Sequence, residues 1–369
     1  MFGFNPGYGD FMFTSNLDYI IVNIYEFAAI KLGTIMFKIF KQIFAKEFKE
    51  EIAIPNKRMH HCSTICKHKN GVLIAFYAGS NECADDQSVY ISYNNNHERI
   101  GDETGNPVLW DNKDYATLLW SEFDQTRKFD NIIDKWKHCS LWIRHIKFSN
   151  KFEFVGEPVK ILGEHLLGRC QPLSGKLLPL YDELRRYGVI YHMNGLETTK
   201  LSIIGTNMIQ PTIWEQDGIL CSLSRNFGSN DTFAKFSYST SGGIEWSRPK
   251  KTLIRNNNSS LCTTKWGDDI IILWNDTDKR IRSNLTIGCI NLTNFKIAEE
   301  VMPCVESIEV ISSYGSYPSM CVDKYDRLHM TFTNKNKKIE HHVWNRKYYN
   351  ERRRNSYRSR CGNKCKCCR

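Results

Sequence analysis

Short continuous apolar runs punctuate the chain between turn residues, and six of them share one design. They read NGVLIAFYAG from Asn70, NKDYATLLWSE from Asn112, SGKLLPLYDE from Ser174, DGILCSLSRN from Asp217, GDDIIILWND from Gly267 and YDRLHMTFTN from Tyr325. Each is a turn residue followed by an apolar run, the pattern of a strand buried on both faces. Aligned on Leu73, Ala116, Leu177, Leu220, Ile270 and Leu328, the spacings are 43, 61, 43, 50 and 58 residues. Four residues after each anchor stands Tyr77, Trp120, Tyr181, Ser224, Trp274 or Phe332, so five of the six positions are aromatic. Recurrence at about 40–60 residues is the blade period of β-propellers. No long amphipathic helical pattern interrupts residues 41–345. The pattern predicts an all-β fold, a six-bladed β-propeller over 41–345 with its apolar runs near the axis. A β-sandwich would bury similar strands but has no reason to repeat near 50 residues.

Charge changes the picture at one end only. Between Arg346 and Arg369 ten Lys/Arg stand against Glu351, so this segment holds +9 of the net +10 and the body is close to neutral. Residues 346–369 read as a basic, Cys-rich disordered tail able to contact nucleic acid or an anionic membrane surface. Four of the fourteen cysteines crowd into CGNKCKCCR, which lacks the two-knuckle spacing of a zinc finger. The other ten are scattered, mostly inside apolar runs, where a free Cys acts as a small hydrophobe. That usage points to a reduced, cytoplasmic setting. No signal peptide is apparent at the N-terminus. Residues 1–40 form an extension whose apolar stretch, Leu17–Phe40, is broken by Asp18, Asn23, Glu26 and Lys31, too often for a membrane span. Cys62 and Cys66, with His60 and His61 beside them, have some ligand character, but on a strand the two cysteines only share a face. The reading is no metal, no cofactor and a monomer.

Several segments carry a resemblance. STSGGIEW (Ser239–Trp246) fits the Asp-box Ser-x-Asp-x-Gly-x-Thr-Trp at Ser239, Gly243 and Trp246, with Ser241 in the Asp place and Glu245 in the Thr place. HCSTICKHKNGVLIAFYAGSNECADDQSVYIS, GNPVLW, GRCQPLSGKLLPLYDE, IQPTIWEQDGILCSLSRN and YGSYPSMCVDKYDRLHMTFTNKNKKIEHHVW follow in the order expected of the sialidase superfamily. Together these segments resemble its branch of predicted neuraminidases with BNR-like repeats, over about residues 45–345. The resemblance implies a six-bladed propeller, with the Asp-box as a structural hairpin at a blade edge.

It also implies a site for an acidic, carboxylated sugar. Similar enzymes hold the sugar carboxylate with three arginines, use an Asp as acid/base and a Glu-activated Tyr as nucleophile. Arg225 matches the second arginine and Arg282, with Arg280 as rival, the third; His61 stands where the first is normally found. Asp86 matches the acid/base, with Asp85 and Glu82 as competitors, and Tyr317 the nucleophile, with Tyr314 as rival. Arg169 in GRCQP resembles family rim residues. The activating Glu falls on Gln210, whose amide cannot take a phenolic proton, and Glu183 is the substitute chosen. Exo-glycosidase action on sialosides is one expectation. Uronate elimination is the other, with His61 and Tyr317 as base and acid and Arg225 neutralising the carboxylate. A propeller that only binds carbohydrate or serves as a scaffold is the alternative to both.

Overall fold

A computed structural model of the chain describes residues 47–361 except 69–70, 94–95, 113, 128, 130–131, 149–151, 162–164, 228–231, 280 and 292–302. The N-terminal extension 1–40, Arg280 and the last four cysteines but Cys361 lie outside the described residues. Among the described residues, twenty-four strands form six four-stranded sheets. Strand β1 (Glu47–Ile52) is the first of the described strands. Blade one is β2 (Met59–His68), β3 (Gly71–Gly79), β4 (Ser88–Tyr93) and β5 (Asn96–Arg99). Blade two is β6 (Thr104–Asn112), β7 (Tyr115–Phe123), β8 (Cys139–Phe148) and β9 (Phe152–Lys160). Blade three is β10 (Leu166–Gly168), β11 (Leu177–Asp182), β12 (Tyr187–Asn194) and β13 (Glu197–Thr206). Blade four is β14 (Met208–Gln216), β15 (Ile219–Asn226), β16 (Phe233–Ser239) and β17 (Lys250–Arg255). Blade five is β18 (Cys262–Trp266), β19 (Asp269–Asn275), β20 (Leu285–Asn291) and β21 (Cys304–Ser312). Blade six is β22 (Gly315–Val322), β23 (Arg327–Asn334) and β24 (Lys338–Asn345), with β1 bonded beside β24 to complete it.

The fold is therefore the predicted all-β, six-bladed propeller, closed by strand β1, which precedes blade one in sequence. All six anchor residues fall in the second strand of their blade. The expected place of those runs beside the axis is corrected. First strands surround the axis, β2 packing against both β22 and β6, and the apolar runs lie one strand further out. Being central in a sheet, each is covered on both faces, and one apolar cluster fills each interface between neighbouring blades. All six residues four beyond the anchors are buried, Ser224 included.

The Asp-box links β16 to β17. Ser239 Oγ accepts the Gly243 N–H at 2.9 Å, and Ser241 Oγ accepts the Glu245 N–H at 2.9 Å, so a hydroxyl serves where a carboxylate was expected. Gly242 and Gly243 supply the positive φ of the turn, 66° and 91°. Trp246 Nε1 donates to Ser202 Oγ on β13 at 3.1 Å, pinning blade four to blade three.

The basic tail departs from expectation. Arg346–Cys361 form helix α1, not a disordered arm. Asn345 Oδ1 accepts the Tyr348 N–H at 2.8 Å as an N-cap. Arg353 pairs with Asp269 and Glu306, Arg346 with Asp269 and Asp326, and Arg352 with Glu309, so acids mostly of blade five neutralise the helix. Tyr349 is buried against Trp266. Among the described residues no helix is long and apolar enough to cross a membrane, and the ten cysteines from Cys62 to Cys321 are free thiols.

Trp246→Phe removes one indole donor from the link between blades three and four. It is expected to cost about 1 kcal/mol in chemical denaturation.

Candidate functional site

Four first strands carry the same distortion. Register shifts fall between His61 and Thr64 in β2, Gly105 and Val108 in β6, Ile209 and Thr212 in β14, and Ser316 and Ser319 in β22. Within each bulge one non-glycine residue has positive φ: Cys62 (54°), Asn106 (42°), Gln210 (52°) and Tyr317 (51°). Such a conformation costs of order 1–3 kcal/mol and concentrates where side chains must be aimed. Proline follows in three cases, Pro107, Pro211 and Pro318, and its missing N–H asks nothing of the interrupted ladder. The bulges turn four unlike side chains toward the axis.

Tyr317 is the centre. Its hydroxyl oxygen accepts from Arg225 Nη1 at 3.2 Å and from Arg282 Nη2 at 3.1 Å. The Arg282 guanidinium lies 4.6 Å from the ring centroid, and the His61 ring meets it edge-on at 4.3 Å. Arg225 stands in register with Ile209 beside the β14 bulge and is 6% exposed. Its Nε donates to Asn258 Oδ1 at 2.7 Å and its Nη1 also to Gln210 Oε1 at 3.1 Å. With Oε1 so engaged, Gln210 Nε2 donates to the Tyr181 hydroxyl at 3.2 Å, which Asn106 Nδ2 also reaches at 3.3 Å. Asn257 Nδ2 holds the Lys279 and Ile281 carbonyls, fixing the turn that presents Arg282.

Arg169 lies deeper, 2% exposed. Its Nη1 donates to Ser63 O at 3.0 Å, Nη2 to Pro318 O at 2.5 Å and Nε to Ser260 Oγ at 3.0 Å. It binds the protein on three sides and faces the Tyr317 ring 5.6 Å away. Burial first, then the charges of Arg282, Arg169 and Arg225, push His61 well below its ordinary range, so its imidazole is neutral. Its Nδ1 has no hydrogen-bond partner among the described residues.

Two carboxyls reach this cluster. Glu82 Oε1 accepts from Tyr77 Oη and from Trp136 Nε1, both at 3.2 Å. Glu183 follows β11; burial raises its proton affinity, opposed by Arg225, and Glu82 adds to the rise. Asp86 is placed differently. It accepts from the Ser80 N–H and Oγ and from Lys57 Nζ at 2.9 Å, and these bonds, the Ser80 N–H first, lower it to about 2. None of these partners belongs to the Tyr317 cluster. Asp85 is exposed and pairs with Lys135. Tyr314 is 56% exposed, away from the two arginines on Tyr317.

The structure thus gathers His61, Arg225, Arg282, Gln210 and Tyr317, with Arg169 beneath them and Glu183 in their field. Sequence reasoning passed over Tyr77, Asn106, Trp136 and Tyr181, and ranked Glu82 behind Asp86. A signal for Asn106 was present: GNPVLW, IQPTIW and SYPSMC align on the residue before proline.

Residues 166–330 match the family model of the BNR repeat-like domain. No curated protein matches the chain in sequence. Among solved structures, a Dyadobacter fermentans protein of unknown function superposes with a TM-score of 0.59 at 12% identity, over 81% of this chain and 99% of that one. Trypanosoma rangeli sialidase, in complex with the inhibitor DANA, gives 0.59 at 12% identity, over 85% of this chain and 62% of its own. The Hadza microbial sialidase Hz136 gives 0.56 at 13%, over 78% and 66%. The chain spans less than two thirds of the trypanosomal sialidase, and at such identities the likeness is one of fold. The match to the BNR repeat-like domain is thus confined to residues 166–330, and the six-bladed framework around it is shared in fold with these sialidases.

Proposed function

We propose that the axial site binds a carboxylated sugar, of the sialic-acid or uronic-acid class, through Arg225 and Arg282, and cleaves its glycosidic bond. One observation carries this reading. Arg225 is buried, yet neither it nor Arg282 has a carboxylate partner within ion-pair distance among the described residues. A buried cation without a counter-ion is costly, and a ligand carboxylate removes that cost in the fork geometry guanidinium favours. A trypanosomal neighbour solved with sialic acid supports the ligand class.

In this reading Tyr317 is the nucleophile and needs a proton acceptor. Gln210 cannot be one. Glu183 takes that role, since a carboxyl of raised proton affinity is the stronger base. Glu82, oriented by Tyr77 and Trp136, replaces Asp86 as the acid. Elimination from a uronate is the second reading, favoured by Gln210 and by the neutral His61 ring packed on Tyr317. Incubation with sialosides and uronate oligosaccharides separates the two. Reducing sugar without an unsaturated uronate marks hydrolysis, the unsaturated chromophore marks elimination, and binding without either product sinks the catalytic claim.

Arg225→Ala is expected to weaken binding of N-acetylneuraminate or galacturonate on the order of a hundredfold by calorimetry. Gln210→Glu places an anion on Arg225 and is expected to weaken binding about tenfold. A gain in hydrolysis from Gln210→Glu would instead make position 210, not Glu183, the seat of the base. Unchanged binding in both variants would rule out the site.

Glu183 also sets a pH dependence. Its carboxyl stays protonated, hence neutral, to higher pH than usual, and once ionised it opposes an incoming carboxylate. Arg225, Lys137 and Arg282 act on it in the opposite sense to burial. Affinity is expected to fall as pH rises from about 5 to 8, and Glu183→Gln to flatten the curve; equal slopes would remove Glu183 from the site.

A further inference from the structure

Blade six holds a chain of hydrogen bonds that the axial site does not use. It runs from Asp323 Oδ2 to His329 Nε2 (3.1 Å), from His329 Nδ1 to His341 Nε2 (2.9 Å), and from His341 Nδ1 to Glu50 Oε1 (2.7 Å). Both imidazoles are buried and stack with centroids 5.2 Å apart. The chain crosses from β23 through β24 to β1, and Glu50 stands on the strand that completes the blade.

Three links need three protons. A neutral imidazole carries one N–H, so two neutral rings supply only two. Burial opposes the Asp323 charge, but hydrogen bonds from His329 and Arg327 outweigh it and hold this carboxyl far below the usual range. Burial also pushes His329 down to about 4, against its bond to Asp323, so that ring is neutral. Its single proton lies on Nε2 toward Asp323, and its Nδ1 accepts. His341 must then donate from Nε2, and a Glu50 carboxylate asks it to donate from Nδ1 as well. Without a third proton, two lone pairs would face each other at 2.7 Å. Glu50 is 26% exposed, which favours its charged form.

We infer that blade six is a proton-binding site, with one proton held as a His341 imidazolium that ties Glu50, and with it the closing strand, into the ring. Nearby charged side chains are paired. Arg327 pairs with Asp323, Lys338 with Glu51 and Glu340, and His342 with Glu340. Cys321 stands in register with His329, its thiol raised by burial and opposed by Lys67 of β2. His60, also of β2, is lowered by burial and accepts the Ile54 N–H.

The sign follows from linkage. A histidine of the unfolded chain releases its proton near pH 6.5, so above that pH the folded state binds one proton more and stability falls as pH rises. Glu50→Gln removes the requirement, because an amide can accept from an imidazolium or, turned over, donate to a neutral ring. In urea titrations of the reduced full chain between about pH 7 and 9, the wild-type folding constant is expected to fall relative to that of the variant by up to tenfold per pH unit. Parallel curves would overturn the inference. Nitrogen-15 NMR of histidine-labelled wild type at about pH 7.5 provides a check that needs no variant. His341 should show both nitrogens protonated and His329 one, and two neutral rings would overturn it.

Discussion

Much of the site's architecture hangs on one buried guanidinium. A β-bulge leaves an extra residue outside the ladder, with a carbonyl that must be satisfied some other way. In β2 and β22 those carbonyls belong to Ser63 and Pro318, and Arg169 donates to both. One side chain from blade three therefore stabilises the strained turns of blades one and six. Those turns present Cys62, beside His61, and Tyr317. Remove the guanidinium, and two buried carbonyls lose partners on either side of the Tyr317 ring. A lysine could serve one carbonyl as a point charge, but it lacks the fork that spans two. Arg169 thus supports the site from below, with three bonds already committed to the protein.

This division of labour among arginines orders the electrostatics. Arg169 is matched by neutral carbonyls and a hydroxyl, which offset its desolvation without cancelling its charge. Arg225 and Arg282 converge on the oxygen of Tyr317. Burial first, and then all three charges, keep the His61 ring neutral. Glu183 reaches the cluster through space, its proton affinity raised first by burial and further by the Glu82 charge. Cationic character is thereby concentrated at the centre, with carboxyl groups around it.

What the sequence revealed, and what it hid, follows from the physics of each feature. The second strands were legible because burial on both faces forces a continuous apolar run, and anchors such as Leu73 and Ile270 repeat as residues. The bulges were harder, because what repeats is a backbone conformation, borne by Cys62, Asn106, Gln210 and Tyr317, which share no side-chain chemistry. Arg169 read as a rim residue because sequence does not register that its partners, Ser63, Ser260 and Pro318, come from distant segments. The turn after β3 offers Glu82, Asp85 and Asp86 within five residues. Trp136, 54 residues on, binds only one of them. Helix α1 was hidden similarly: its basic run is conspicuous, whereas Asp269, Glu306 and Glu309, which neutralise it, are scattered through blade five.

Position 210 shows how one atom type propagates through such a network. Arg225 has only donors, so it fixes Oε1 of Gln210 toward itself and turns Nε2 toward Tyr181. A glutamate there would offer oxygen to both neighbours, and the Tyr181 hydroxyl would become a donor to it. With glutamine the polarity is reversed, and Tyr181 receives a hydrogen bond in place of giving one. Burial, and then Glu183, already raise the proton affinity of this phenol, so it keeps its hydrogen. That hydrogen cannot point at residue 210. The amide therefore acts on more than one neighbour. It leaves Arg225 without an anionic neighbour and redirects a second tyrosine hydroxyl, so charge and hydrogen-bond direction at the axis change together.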